Sequence, residues 1–219
     1  MYTPHQFDES RLPVLHEAIR RTRLATLVTM TRDGLVATHL PLLLDSDRGP
    51  NGTLTGHVAR ANFQWRDSVP DADALVIFLG PEAYISPSWY ATKRETGKVV
   101  PTWNYIAVHA YGRAEFFDDA ERLRAIVTRL TDAHEAASAT PWRVTDAPPR
   151  YIDLELKAIV GVEVPIRHLD GKWKLNQNRQ AADRHGVIDA LEARDENTDA
   201  GVAQAMREVE AKLERDRTP

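Results

Sequence analysis

The sequence predicts a mainly β protein with flanking helices, an α+β chain whose strands close or nearly close into a barrel. Three observations carry that prediction. Six or so segments have strand character, most of them are joined by short turns, and helical periodicity occurs at only a few points. A doubly wound sheet would alternate a helix with every strand, and the order of periods along this chain does not.

The elements follow in order. In "FDESRLPVLHEAIRR" Asp8 is placed to cap a helix with Leu12, Leu15 and Ile19 on one face, ending near Arg23. "LATLVTM" and "LVATHLPLLL" read as strands, and Asp33-Gly34 between them signals a hairpin. "GTLTGHV" and "DALVIFLG" are two more strands, with a short helix over residues 61–67. Residues 81–100 carry prolines and serines without a period and read as a long ordered loop, a feature that tends to be functional in compact domains. "TWNYIAVHAYGRAEFF" reads as one long strand, and "DDAERLRAIVTRLTDAHEA" as a helix with a capping box of Asp118 and Glu121. "LKAIVGVEVPI" supplies the final strand, and "GKWKLNQNRQAADRHGVIDAL" a polar turn entering a helix. Val202, Met206, Val209 and Leu213 line one face of the last helix.

Composition narrows the chemistry. The 219 residues include no cysteine, which removes disulfides, thiolate nucleophiles and cysteine-ligated metals together. A net charge of −4 argues against a general electrostatic grip on nucleic acid, so DNA contact is not evident from charge. With neither a leader pattern nor an apolar run of spanning length, the expectation is a soluble cytoplasmic protein without membrane partners. There is no G-x-G-x-x-G, no P-loop lysine, no H-x-x-x-H pair and no G-x-S-x-G elbow. No metal site is expected.

"LTGHVARANFQW" is left to explain. If its strand ends near Val58, Arg60 and Asn62 lie by the first turn of the short helix, where free N–H groups and the helix dipole favour an anion. A guanidinium there completes a phosphate site. Each residue alone has a plainer reading: Arg60 as a solvated arginine, His57 as a hydrogen-bonded edge residue, the tryptophans as core, and Lys93, Arg94 and Lys98 as a charged loop face. Polar groups recur beside aromatics in "SPSWY", "PTWNY" and "KWKLNQN", a combination that suits a flat heterocycle carrying a phosphate. In "THLPLL", a proline that cannot donate interrupts strand backbone. Thr38, His39, Leu40 and Pro41 are therefore expected to offer main-chain atoms to a ring edge, with Trp103 or Tyr105 as a wall.

The motifs "HLPLLL", "LTGHVARANFQW", "GPEAYISPSWYATK", "VPTWNY" and "GKWKLNQNR" together resemble the PaiB-type family of FMN-binding negative transcriptional regulators. The resemblance implies an FMN-binding split β-barrel, related to pyridoxamine phosphate oxidases, over residues 1–195, with a helical appendage at 196–219. It also implies a homodimer with FMN across the interface. Thr55, His57, Arg60 and Asn62 take the positions of the group's strand-end phosphate motif. Ala61 stands where the oxidases often carry a second basic residue, so the phosphate charge is balanced less fully there unless Lys93 or Lys174 reaches in. Lys93, Lys174, Gln177 and Asn178 are the candidates to reach across the dimer. Two functions stay open on this reading: a flavin-binding regulator or sensor, and an enzyme, either an FMN-dependent oxidoreductase or a haem-binding, haem-degrading relative.

Overall fold

Helix accounts for 39% and strand for 31% of the described residues in the computed structural model, residues 1–194 and 197–215, and no sheet among them closes into a barrel. The expected mainly β split barrel is thereby corrected to a mixed α/β fold. The first sheet contains β1 (Ala25–Thr31), β2 (Gly34–Leu40), β5 (Ala74–Ile85), β6 (Thr102–Gly112) and β9 (His168–Lys174), in the order β2-β1-β5-β6-β9. The second contains β3 (Leu43–Asp45), β4 (Thr53–Ala59), β7 (Glu115–Phe117) and β8 (Ile159–Pro165), in the order β3-β4-β8-β7.

Two breaks explain much of the correction. "LVATHLPLLL" is not one strand: β2 stops at Leu40, Pro41 offers no N–H to a ladder, and β3 resumes in the other sheet. "TWNYIAVHAYGRAEFF" divides in the same way, with β6 in the five-stranded sheet and β7 in the four-stranded one. Helix also appears where none was expected, as α3 (Thr92–Thr96) in the supposed loop and as α5 (Pro149–Lys157). The remaining helices are α1 (Leu12–Arg21), α2 (Gln64–Asp67), α4 (Ala120–Glu135), α6 (Ala181–Glu192) and α7 (Asn197–Arg215). Asp8 does not cap α1. It bridges to Lys172 on β9, and Arg11 occupies the cap position.

The chain divides into two units. A central unit holds Arg11–Phe78 and His109–Leu169. After α1 it contains the expected hairpin, whose register pairs Thr31 with Gly34 around the loop residues Arg32 and Asp33, with Gly34 at φ +119°. In its four-stranded sheet, pairing sets Leu54 beside Val164 and Val58 beside Val160 on one buried face. The opposite face, with Thr55 beside Glu163 and His57 beside Gly161, belongs to the strands on which α4 packs. Leu123, Val144, Ile152 and Leu156 form a core beneath α4 and α5.

The terminal unit holds Met1–Ser10, Leu79–Val108 and the described residues from Asp170 on. Its core joins Ala83, Ile85 and Tyr90 to Leu175, Val187, Ile188 and Leu191 of the α6 region and to Val202, Ala203 and Met206 of α7. Between these helices Arg184 Nη2 donates to Glu210 Oε1 at 2.7 Å. The boundary expected between residues 195 and 196 lies outside the described residues.

Candidate functional site

The residues expected to bind a ligand fall into two groups, one in each unit. In the central unit, Thr55 and His57 alternate onto the same face of β4. Thr55 Oγ1 and His57 Nδ1 are both buried, and neither has a hydrogen-bond partner among the described residues. Burial pushes His57 below its ordinary pKa of 6.5 and so favours the neutral ring. Beside them, Glu163 accepts from Arg48 Nη1 at 3.1 Å and Nη2 at 3.0 Å and pairs with Arg122 at 3.2 Å. The hydrogen bond from Arg48 is the main reason that this carboxyl sits below its usual range.

Arg60 follows at the end of β4. Its Nε donates to the Lys157 carbonyl at 2.7 Å and its Nη2 to the Ile159 carbonyl at 3.0 Å, while its backbone N–H donates to the Ala158 carbonyl at 2.8 Å. The guanidinium thus meets the orphan Lys157 carbonyl at the C-terminus of α5, where a cation is also favoured by the dipole, and the Ile159 carbonyl that opens β8. Those contacts use two of its five N–H bonds. Nη1 pairs loosely, at 3.7 Å, with the largely exposed Asp118. Held in this way, the guanidinium has a fixed orientation and donors to spare.

Asn62 and Thr38 have a different task. Asn62 Nδ2 donates to Thr38 Oγ1 at 2.8 Å, and Thr38 Oγ1 donates to Gln64 Oε1 at 2.5 Å. Gln64 is fully buried, and its Nε2 lies 3.0 Å from Thr29 Oγ1, 3.2 Å from the Val36 carbonyl and 3.3 Å from the Leu27 carbonyl. This amide ties α2 to the β1–β2 hairpin and so fixes the loop that carries Arg60. Sequence reasoning missed Gln64 because α2 is only four residues long and has no period to betray a buried polar position.

Of the other expected central residues, His39 is exposed and its Nδ1 lies 2.9 Å from Thr26 Oγ1. Leu40 is buried. Pro41 lies so close to β4 that a Cβ on Gly56 would come within 2.7 Å of its carbonyl oxygen, which is why that strand carries glycine there. β2 is an edge strand of its sheet, so its outer backbone edge is not used in strand pairing.

In the terminal unit, Lys174 Nζ donates to Thr102 Oγ1 at 2.5 Å and to the Trp103 carbonyl. Burial, and then the charge of Lys172, lower its pKa. Both ammonium groups flank the Tyr105 ring, Lys172 at 5.3 Å and Lys174 at 5.8 Å from its centroid. Lys172 also donates to the Tyr2 carbonyl at 3.1 Å. Trp103 is exposed and meets Tyr84 edge to face, with centroids 6.0 Å apart. Gln177 folds back on its own turn, accepting from Leu175 N at 2.8 Å and donating to the Trp173 carbonyl at 2.5 Å. Asn178 and Lys93 are exposed, and Lys93 Nζ donates to Ser88 Oγ at 3.0 Å. Gln180 stands at the N-cap of α6.

Residues 1–168 match a family model described as "Putative FMN-binding domain". Protease synthase and sporulation protein PAI 2 of Bacillus subtilis is 34% identical over 208 residues, covering 95% of this chain and 97% of that protein. The chain belongs to the PaiB-type FMN-binding family. Arg60, Asn62 and Gln64 of this PaiB-type chain lie inside the matched segment, and Lys172 and Lys174 lie beyond its end. An uncharacterized protein of Aspergillus fumigatus is 35% identical over 255 residues, covering 95% of this chain and 97% of its own. Among solved structures, the FAD and haem binding protein from Mycobacterium smegmatis is similar in fold, with a TM-score of 0.57 and 17% identity over 80% of this chain and 77% of that one. No helix among the described residues is long and apolar enough to cross a membrane.

Proposed function

We propose that this PaiB-type chain binds FMN by its phosphate at Arg60 and works as a flavin-dependent regulatory module. The observation that carries the reading is the anchored guanidinium: two carbonyls orient its plane, and among the described residues its Nη1 pairs only with a distant, exposed carboxylate. A planar fork with spare donors matches a phosphate monoester. The donor set therefore fits the group named by the family. Asn62, Thr38 and Gln64 hold the loop in register, and the outer edge of β2 over residues 38–40, with Pro41 after it, offers main-chain groups of the kind that a flavin ring edge takes. Bound flavin would supply reversible electron exchange. The name of the Bacillus subtilis relative, which attaches it to protease synthase and sporulation, supports regulation over turnover as the role.

A second reading places the flavin on the lysine–aromatic face of the terminal unit. It is favoured by Lys174, a half-buried ammonium beside Tyr105 and the exposed Trp103. One experiment separates the two. FMN is titrated into the wild type, Arg60→Ala and Lys174→Ala, with flavin fluorescence followed. The first reading expects loss of roughly 2 kcal/mol of affinity in Arg60→Ala and little change in Lys174→Ala, and the reverse pattern would move the flavin to the second face. Haem serves as the control ligand, for which no Soret shift is expected.

A further inference from the structure

A hollow of about 520 Å³ lies beside α4, far larger than a water site and within the range of small-molecule pockets. Arg124, Thr128 and Asp132 line it from one face of α4, each four residues after the last. Arg143, Thr145 and the apolar floor of Val144 and Ile152 complete it. A neighbouring hollow of about 290 Å³ shares Asp132 and Arg143. All of this lies in the central unit, among residues with no part in the flavin reading.

Most charged groups around the hollow are hydrogen-bonded, though of these only Arg124 is in an ion pair. Arg124 is paired with Asp153 at 2.5 Å, Glu135 accepts the Trp142 backbone N–H at 3.1 Å, and Asp146 accepts that of Arg143 at 2.9 Å. Among the described residues, neither the Asp132 carboxylate nor the Arg143 guanidinium is in an ion pair, although both line the same two hollows. Opposite charges that share a concave site without meeting leave room for a ligand carrying the complementary pair. A simple anion would be repelled by Asp132 and a simple cation by Arg143. A zwitterion satisfies both, and the buried Val144 and Ile152 suit an apolar substituent between them.

From this arrangement we infer that the hollow is a binding site for a free α-amino acid with an apolar side chain: carboxylate on Arg143, ammonium on Asp132, side chain on Val144 and Ile152. The site gives the chain a second, metabolite-responsive input, independent of whether flavin is bound.

Isothermal titration with L-leucine tests it, alongside 4-methylpentanoate, which lacks the ammonium, and isoamylamine, which lacks the carboxylate. Leucine should bind, and each analogue should bind at least about tenfold more weakly, the factor expected for losing one hydrogen-bonded charge. Asp132→Asn should reduce leucine to the level of 4-methylpentanoate, and Arg143→Gln to that of isoamylamine. Both side chains are exposed, so neither substitution disturbs the core. Absence of leucine binding, equal binding of the analogues, or binding indifferent to both substitutions would overturn the assignment.

Discussion

Arg60 Nε donates to the main-chain carbonyl of Lys157 at 2.7 Å, so a side chain from the end of β4 closes the last turn of α5. Removing it strips donors from two carbonyls and a cation from a helix C-terminus. Arg60→Ala should therefore lose about 1–2 kcal/mol of stability in urea unfolding, with Arg60→Lys recovering part of it through charge alone. Wild-type stability in the alanine variant would mean that the guanidinium does not cap α5 in solution.

Gln64 should matter more. Its amide has partners on β1, β2 and in the Thr38 hydroxyl, and truncation leaves buried groups unpaired. Gln64→Ala is expected to cost about 2–4 kcal/mol, while Gln64→Glu fails in a distinct way, because a buried carboxylate cannot donate to the Leu27 and Val36 carbonyls. Chemical denaturation of both variants checks this, and a cost below that of Arg60→Ala would contradict the ranking.

Local patterns in the sequence were legible where side chains alternate or a turn has its own chemistry. The β1–β2 hairpin, β4, α4 and the α7 face of Val202, Met206 and Val209 lie where periodicity placed them. Pro41 was noticed as a residue that cannot donate, but not that the chain changes sheets there, because strand pairing is a long-range property that hydrophobic pattern does not encode. The same blindness turned two interrupted strands into continuous ones and led to a barrel. β9 was hidden by its composition: "HLDGKWK" has three charged residues besides its histidine, with Lys172 buried against Tyr2 and Tyr105 by partners distant in sequence. Among the expected site residues, Arg60 and Asn62 stand out by type and spacing, while their anchors on α5 and Gln64 are visible only in the fold.

Stability should fall in mild acid through His57. Burial holds its folded pKa below 6.5, so as the pH drops the unfolded chain takes up the proton first. The contribution is fully present above 6.5 and is lost as the pH falls through the folded value. Thermal melts from about pH 7 to about pH 5 should slope downward in the wild type and more gently in His57→Gln. Glu163, held down by Arg48 and Arg122, acts in a separate window below 4.5. An unchanged slope in His57→Gln would assign the acid sensitivity elsewhere.

Trp103 and Tyr84 expose 53% and 42% of their surface as an edge-to-face pair, a large aromatic area for a protein to leave in water. We expect this face to form a homodimer interface, with a dimer mass in solution that Trp103→Glu shifts to monomer. A wild-type monomer at micromolar concentration would contradict the dimer.

The most direct test of the account compares FMN with riboflavin, which differ only by the phosphate, in the wild type and in Arg60→Ala. If Arg60 holds that phosphate, the wild type should prefer FMN by a factor of about ten to a hundred, and the variant should bind the two flavins almost equally. A preference for FMN that survives intact in Arg60→Ala would contradict the claim.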